Sequence, residues 1–168
     1  MDKTQQKDAA APSWSLAGLI EGARMITPVL PGVFLYATAF GTVAAQKGLT
    51  LLQTEFMSAV VYAGAAQLVA MQVWPEHLTG AAVLAVVLVT ATVNARLLLM
   101  GAALRPWLGH LPAWQAYPTL YLMTDSTWLV IMRRRGEAAM PALFLGSGIA
   151  MWFVWIAGAL PGYLMGVA

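Results

Sequence analysis

The sequence lacks cysteine and contains little charge. With no cysteine among its 168 residues, disulfides, thiolate nucleophiles, zinc–thiolate sites and iron–sulfur sites are excluded. Only 10% of the residues are charged and 60% are hydrophobic, whereas soluble domains are about 25% charged and about 45–50% apolar. So few charges cannot cover a soluble domain, and disordered chains are poor in apolar residues. The composition therefore indicates an integral membrane protein of one-domain size.

Nothing in the sequence predicts an enzyme, a cofactor or a metal. The net charge of +2 is too small to indicate a nucleic-acid partner. His77 and His110 lie in predicted loops, and there is no paired-histidine metal motif or phosphate loop. Ser147 lies between two glycines, but the pattern is not a nucleophile elbow and nothing marks a catalytic partner.

The chain divides into a tail and one membrane domain. Residues 1–13 are polar and predict a cytoplasmic tail, and residues 14–168 predict a single transmembrane helical domain. Residues 14–27 are amphipathic, with Glu21 and Arg24 three positions apart. This segment is either an interfacial helix on the membrane surface or the solvated start of the first span.

Five apolar stretches follow, and their continuous Ala- and Leu-rich runs favour helices over β-barrel strands. They predict an all-α bundle of about five transmembrane helices, some kinked or discontinuous. Pro28 and Pro31 should break or kink the first stretch. The fourth stretch is short and carries Asp125, so neighbouring helices are expected to shelter it. The stretches cover residues 28–46, 54–74, 78–104, 117–132 and 140–166.

The basic residues predict the orientation in the membrane. A cytoplasmic N-terminus leaves Lys47 and Arg105 outside, and five spans would then place the C-terminus outside. The basic residues assigned to the cytoplasm are Lys3, Lys7, Arg24, Arg133, Arg134 and Arg135.

Two ionisable residues lie within the apolar stretches, where such groups mark functional pathways by default. Asp125, with hydroxyl neighbours, could bind a proton or a substrate ammonium group. Arg96 has a planar guanidinium group that suits a carboxylate, either that of Asp125 or that of a substrate. The alternative is a salt bridge between the two residues that only fixes helix packing.

Polar residues of the second and third stretches form a further candidate group. Asn94 and Arg96 cannot point to one spot on a straight helix, so the helix is broken there or they face different neighbours. Alternatively, Asn94 could hydrogen-bond to a neighbouring helix and so stabilise helix packing. Ser58 and Gln67 flank an Ala-Gly-Ala-Ala segment that can either unwind to bind substrate or allow close packing.

Small residues recur at four-residue spacing in the fifth stretch. Gly158, Gly162 and Gly166 form a ladder that predicts a helix-contact face.

These segments, in order, resemble the AzlC-type large subunit of branched-chain amino-acid exporters. The resemblance covers residues 18–166, and its Ser-to-AGAAQ block followed by an Asn-x-Arg block is fairly specific. The segments that carry it are PGVFLYATAFG, the Gly48-Leu49 turn, SAVVYAGAAQ, VNARLLLMGAAL, LMTDSTW and WIAGALPGYLMG.

The resemblance implies an inner-membrane permease that works with a small hydrophobic AzlD-type subunit and exports leucine, isoleucine, valine or related amino acids. The chain departs from the family pattern at Leu35-Tyr36-Ala37, and at Leu97 and Ser126, which replace a histidine and a glutamate. Family members usually continue with further helices, so the chain is expected to be shortened, truncated or completed by a partner. The matched positions, expected to line a pathway or the core, are Ser58, Gly64, Gln67, Asn94, Arg96 and Asp125.

Two functional hypotheses follow. In the first, the chain is a secondary transporter that holds a small amino acid between the second, third and fourth spans. Gln67 and Asn94 would offer hydrogen bonds, Arg96 would pair with a carboxylate, and Asp125 would bind a proton or the ammonium group. In the second, the chain is a non-transporting scaffold or partner subunit whose polar residues only hold helices together. A channel is disfavoured, because no ring of like charges is visible.

Overall fold

The computed structural model describes residues 14–75, 77, 79–134 and 140–168. The predicted tail at residues 1–13, with Lys3 and Lys7, and the connection at Arg135 and Gly136 lie outside the described residues. Within the described ranges the chain is helical, without strands, which confirms the all-α class. The helices are α1 (Leu16–Ile26), α2 (Leu30–Gln46), α3 (Leu51–Val60), α4 (Gly64–Gln72), α5 (Gly80–Leu108), α6 (Ala113–Tyr121), α7 (Asp125–Met132) and α8 (Met140–Val167).

Three helical segments are long and apolar enough to cross a membrane: Leu16–Gln46, Gly80–Leu108 and Met140–Val167. The first segment begins at Leu16, whereas the predicted apolar stretch begins at Pro28. The early start is set by Ser15, which caps α1 by accepting a hydrogen bond from the backbone N–H of Gly18 (3.0 Å). The amphipathic segment is therefore the start of the first long helix.

The prolines of the first stretch interrupt that helix where predicted. A short 3₁₀ helix at Thr27–Val29 contains Pro28 and separates α1 from α2, and Pro31 occupies the first turn of α2. Proline is tolerated in a first turn, because the missing N–H has no partner there anyway.

The second and fourth apolar stretches each form two short helices with a break of three residues. The first break, Val61–Ala63, lies just before the glycine of the predicted flexible segment, and Gly64 begins α4. The second break, Leu122–Thr124, was not anticipated. Its local cause is Thr124, whose hydroxyl accepts from the backbone N–H of Thr127 and so starts a new helix.

The third stretch forms one continuous helix, α5, through Asn94 and Arg96. A helical break at this point, one of the two alternatives, is therefore wrong. The two side chains lie about 200° apart around the axis, because each residue turns an α-helix by about 100°.

The helices form two compact units. Of the described residues, the first comprises those within 14–28 and 100–150, and the second comprises those within 29–99 and 151–168. In the first unit, α1 and the N-terminal part of α8 approach each other at glycines. A Cβ atom on Gly22 would collide with the backbone of Leu143, and one on Gly146 would collide with the backbone of Leu19.

The second unit is organised around α2 and the C-terminal part of α8, which run parallel. The hydroxyl of Thr38 donates to the carbonyl oxygen of Gly158 (3.1 Å), and that of Thr42 donates to the carbonyl oxygen of Gly162 (2.9 Å). A Cβ on Gly166 would lie 2.6 Å from the carbonyl oxygen of Thr42. These contacts confirm that the glycine ladder is a helix-contact face.

Candidate functional site

The break between α3 and α4 contains a residue with an unusual backbone. Tyr62 has φ of 41°, the one positive φ of a non-glycine residue among those described, and its side chain is 6% exposed. A bulky residue in the left-handed region costs on the order of 1–3 kcal/mol and persists only where its surroundings hold it. Such conformations cluster at ligand sites, so the break that contains Tyr62 is a candidate functional site.

Gln67 stabilises the start of α4 from within the helix. Its side-chain oxygen accepts a hydrogen bond from the backbone N–H of Ala63 (3.3 Å), the residue that precedes α4. The amide is therefore held at the N-terminus of α4. Gln67 is fully buried, yet its Nε2 has no hydrogen-bond partner among the described residues. An N–H donor buried at a helix N-terminus is thus left unused.

Ser58, in the last turns of α3, is a second fully buried residue with an unsatisfied polar group. Its Oγ has no hydrogen-bond partner among the residues that the structure describes. Thr54, one turn earlier and equally buried, donates instead to the carbonyl oxygen of Thr50 (3.0 Å). Buried hydroxyls are nearly always satisfied, so the contrast sets Ser58 apart from an ordinary helical hydroxyl.

Aromatic rings adjoin the start of α4. A Cβ on Gly64 would lie 2.7 Å from Cη2 of Trp155 and 3.2 Å from Cε1 of Tyr36. The Trp155 ring centroid is 5.7 Å from that of Tyr36 and 5.9 Å from that of Phe40. Glycine is thus required here for close approach of a side chain, since any larger residue would displace the Trp155 ring.

A hydrogen bond ties α8 to the end of α3. The indole Nε1 of Trp152 donates to the carbonyl oxygen of Ala59 (2.9 Å). The neighbouring Trp155 is 4% exposed, and its own Nε1 has no partner in the described part of the chain. Sequence reasoning missed both tryptophans, because tryptophans in a membrane protein usually signal packing or the interface.

The arrangement can bind an oxygen-bearing group beside an apolar one. Ser58 and Gln67 supply unused donors, and the first backbone N–H groups of α4 have no acceptor within the helix. A helix N-terminus carries partial positive charge, which favours a carboxylate. The ring of Trp155 supplies an apolar surface at Gly64. The break therefore has donors for an acceptor group and an apolar ring beside it.

The break in the first unit is built in a similar way. In both breaks a fully buried hydroxyl residue lies six positions before the second helix: Ser58 before Gly64, and Thr119 before Asp125. A side chain of the second helix caps the residue before it in each case, and in the first unit the backbone N–H of Thr124 donates to Oγ1 of Thr127 (2.8 Å). This repetition was not visible in the sequence, because different residue types carry out the same capping.

The remaining predicted residues lie elsewhere. Asn94 is half-buried and Arg96 is exposed, both on α5 of the second unit. Asp125 is exposed and belongs to the first unit, where it is the first residue of α7. Ser58 thus precedes the α3–α4 break and Gly64 and Gln67 follow it, while pairing of Arg96 with Asp125 stays a prediction.

Sequence reasoning also passed over Glu55. This residue lies on α3, three positions before Ser58, and both of its carboxylate oxygens are buried. The missed signal is an acidic residue inside an apolar stretch, a feature that Glu55 shares with Asp125.

Comparison with known proteins supplies the family. No curated protein and no solved structure matched the chain. The model of one family, described as AzlC protein, matches residues 28–168, which is most of the chain. Proteins of this family typically work with a partner subunit. The chain belongs to the AzlC family, a family of membrane transporters associated with branched-chain amino-acid transport.

Proposed function

We propose that the chain is the large subunit of a secondary transporter that exports branched-chain or related small amino acids across the inner (plasma) membrane. The observation that carries this proposal is the pair of fully buried, unused donors at the α3–α4 break, Ser58 Oγ and Gln67 Nε2. Leaving a buried donor unsatisfied costs about 1–3 kcal/mol. Two such donors at one helix break would be explained if both donate hydrogen bonds to an acceptor group of a bound substrate.

In this proposal the substrate carboxylate lies at the N-terminus of α4, where it accepts hydrogen bonds from Gln67 and Ser58. The apolar side chain of the substrate packs against Trp155, whose ring lies against Gly64. Burial of each methylene contributes about 0.8 kcal/mol, so leucine, isoleucine and valine should bind better than glycine or alanine.

The other predicted residues complete the proposed pathway. Arg96 is a second partner for the carboxylate, Asn94 a further hydrogen-bonding group, and Asp125 a partner for the substrate ammonium group or for a proton. The five-span bundle with a cytoplasmic N-terminus is part of the proposal, with both broken segments crossing the membrane.

The proposed partner is a small hydrophobic AzlD-like membrane subunit, and α5 is its proposed contact. The most apolar part of α5 has no buried residue. A second subunit that packs against α5 would cover this exposed apolar surface.

Export assays with Ser58→Ala test the proposal. Host cells that lack the gene receive the wild-type or variant gene, are loaded with radiolabelled leucine, and are followed for efflux. Ser58→Ala removes a donor that bonds nothing in the protein, so we expect leucine efflux to fall about tenfold while the melting temperature of the purified protein is unchanged or higher. The measurement distinguishes a substrate contact from a structural hydroxyl.

Ser147→Ala is the matched control. Ser147 is also fully buried, but its hydroxyl donates to the carbonyl oxygen of Phe144 (2.8 Å) within its own helix. We expect leucine efflux in this variant to equal that of the wild type. Efflux that is unaffected by Ser58→Ala, in cells with normal amounts of the protein, would contradict the proposed site. Wild-type cells that export no faster than cells without the gene would favour the scaffold hypothesis.

A further inference from the structure

A half-buried glutamate with buried carboxylate oxygens lies one helical turn before a proposed substrate donor and has no role in the function described above. Glu55 is in α3, three positions before Ser58, so the two side chains lie on the same side of the helix. Both carboxylate oxygens are buried, and neither has a hydrogen-bond partner among the described residues.

Few ionisable groups in the elements packed against α3 could compensate a charge on Glu55. Helix α2 carries Tyr36, with Lys47 as its C-cap, the break after α3 carries Tyr62, the C-terminal part of α8 carries Tyr163, and α4 carries none. Lys47 lines a cavity with Gln53, Phe56, Met57 and Val61, which lie on the opposite side of α3 from Glu55. The other charged or imidazole side chains described in the second unit are those of His77 and Arg96.

The surroundings of Glu55 therefore favour the neutral carboxylic acid over the ionised carboxylate. An ionised carboxylate without a partner is very costly in apolar surroundings, whereas a protonated one is tolerated. The side chain can hold a proton while it is buried and can release that proton when water reaches it. A group that exchanges a proton in step with the opening of a site is the requirement for proton-coupled transport.

We propose that Glu55 carries the coupling proton of this transporter. The carboxylate of Glu55 takes up a proton from the side with the higher proton concentration and is buried as the neutral acid. It then gives the proton to water on the opposite side, while one amino acid moves in the other direction. The inference rests on the proposed transport function and assigns the coupling proton to Glu55, which leaves the substrate ammonium group as the proposed partner of Asp125.

Everted membrane vesicles from the complemented host cells test the proposal, because an exporter moves substrate into them. Two assays are compared: exchange of radiolabelled leucine against unlabelled leucine without a pH gradient, and accumulation of radiolabelled leucine driven by an imposed gradient. For one proton per amino acid, a gradient of one pH unit supports up to about tenfold accumulation. We expect Glu55→Gln to keep leucine exchange within about twofold of wild type and to lose gradient-driven accumulation.

Two further variants complete the experiment. Glu21→Gln makes the same chemical change at an exposed position, where Glu21 pairs with Arg134 (3.1 Å), and it should accumulate leucine as the wild type does. Glu55→Asp retains a carboxyl group and should respond to the pH gradient even if Glu55→Gln does not fold.

The outcomes are distinct. Gradient-driven accumulation by Glu55→Gln at the wild-type level, or its loss in Glu55→Asp with exchange intact, overturns the assignment of the proton to Glu55. Loss of leucine exchange in Glu55→Gln, with its melting temperature unchanged, also overturns it, because Glu55 would then belong to substrate binding. Wild-type vesicles that neither exchange nor accumulate leucine overturn the proposed function itself.

Discussion

The side-chain oxygen of Gln67 accepts a hydrogen bond from the backbone N–H of Ala63, four residues earlier and just outside α4. This one contact caps the helix and fixes the amide so that its Nε2 lies at the helix N-terminus. The same residue therefore stabilises the break and supplies an unused donor there, and the two roles can be separated by substitution.

Gln67→Glu separates them, because glutamate has nearly the same shape and still accepts from the N–H of Ala63. A carboxylate is also favourable at a helix N-terminus. We expect the melting temperature to be kept and leucine transport to fall at least about tenfold, since the donor is lost and a negative charge opposes the substrate carboxylate. Gln72→Glu, at an exposed position of the same helix, is the control. Full transport by a well-expressed Gln67→Glu variant would show that this amide does not contact the substrate.

Gly64→Ala should impair transport by displacing Trp155. The added Cβ would lie 2.7 Å from Cη2 of this ring, and overpacking of this kind costs about 1–3 kcal/mol. Combining Gly64→Ala with Trp155→Phe should restore part of the lost stability, because the smaller ring leaves room for the methyl group. The measurement is a double-mutant cycle on the melting temperature and on leucine efflux. Strictly additive effects would mean that the contact carries no coupling energy.

Gly162→Ala should destabilise the packing of α8 on α2. Its Cβ would collide with the backbone carbonyl of Thr38, and the displacement would strain the hydrogen bond from Thr42 to the carbonyl oxygen of Gly162. We expect a loss of about 1–3 kcal/mol in the free energy of unfolding. Gly32→Ala in α2 is the control, because nothing lies within 4 Å of its Cβ position, and it should be neutral or stabilising. Equal stabilities of the two variants in detergent would argue against the close packing.

Thr124→Ala should loosen the start of α7. The Thr124 hydroxyl accepts from the backbone N–H of Thr127 (3.2 Å), and removal of such a cap costs about 1 kcal/mol. Thr92→Ala on α5 is the comparison, since Thr92 is exposed and its hydroxyl donates within its own helix to the carbonyl oxygen of Leu88 (2.8 Å). Thermal unfolding of the purified proteins should show a lower melting temperature for Thr124→Ala alone.

The absence of native cysteine makes the orientation directly testable. Because α2 and the C-terminal part of α8 run parallel, single cysteines at Lys47 and Val167 should react with a membrane-impermeant maleimide from the same side. A cysteine at Arg133 should react from the other side, because the distribution of basic residues predicts that Arg133 is cytoplasmic and Lys47 external. We expect Lys47→Cys and Val167→Cys to be labelled in intact cells and Arg133→Cys only after permeabilisation. Labelling of Lys47→Cys and Val167→Cys from opposite sides would exclude the parallel arrangement.

Local chemistry made part of the candidate site predictable. Ser58 and Gln67 stood out because polar residues are rare in an apolar chain, and the glycine between them indicated a flexible or closely packed segment. Unwinding of the Ala-Gly-Ala-Ala segment was one of two alternatives, beside close packing, and the break at residues 61–63 lies at its start. The second break was missed, because a threonine cap within an apolar stretch gives a weak signal beside its hydrophobic surroundings.

The sequence by itself determined that the chain is a helical membrane protein. So apolar a chain with so few charges belongs in a membrane, where the backbone N–H and C=O groups must be hydrogen-bonded within the protein, as they are in a helix. It also determined the kinks at proline and the contact face of the glycine ladder. Only the tertiary structure decided that Trp155 adjoins Gly64, that the donors of Ser58 and Gln67 are buried and unused, and that the carboxylate oxygens of Glu55 are buried. These facts depend on which helices pack together, and spacing along one helix carries no information about its neighbours.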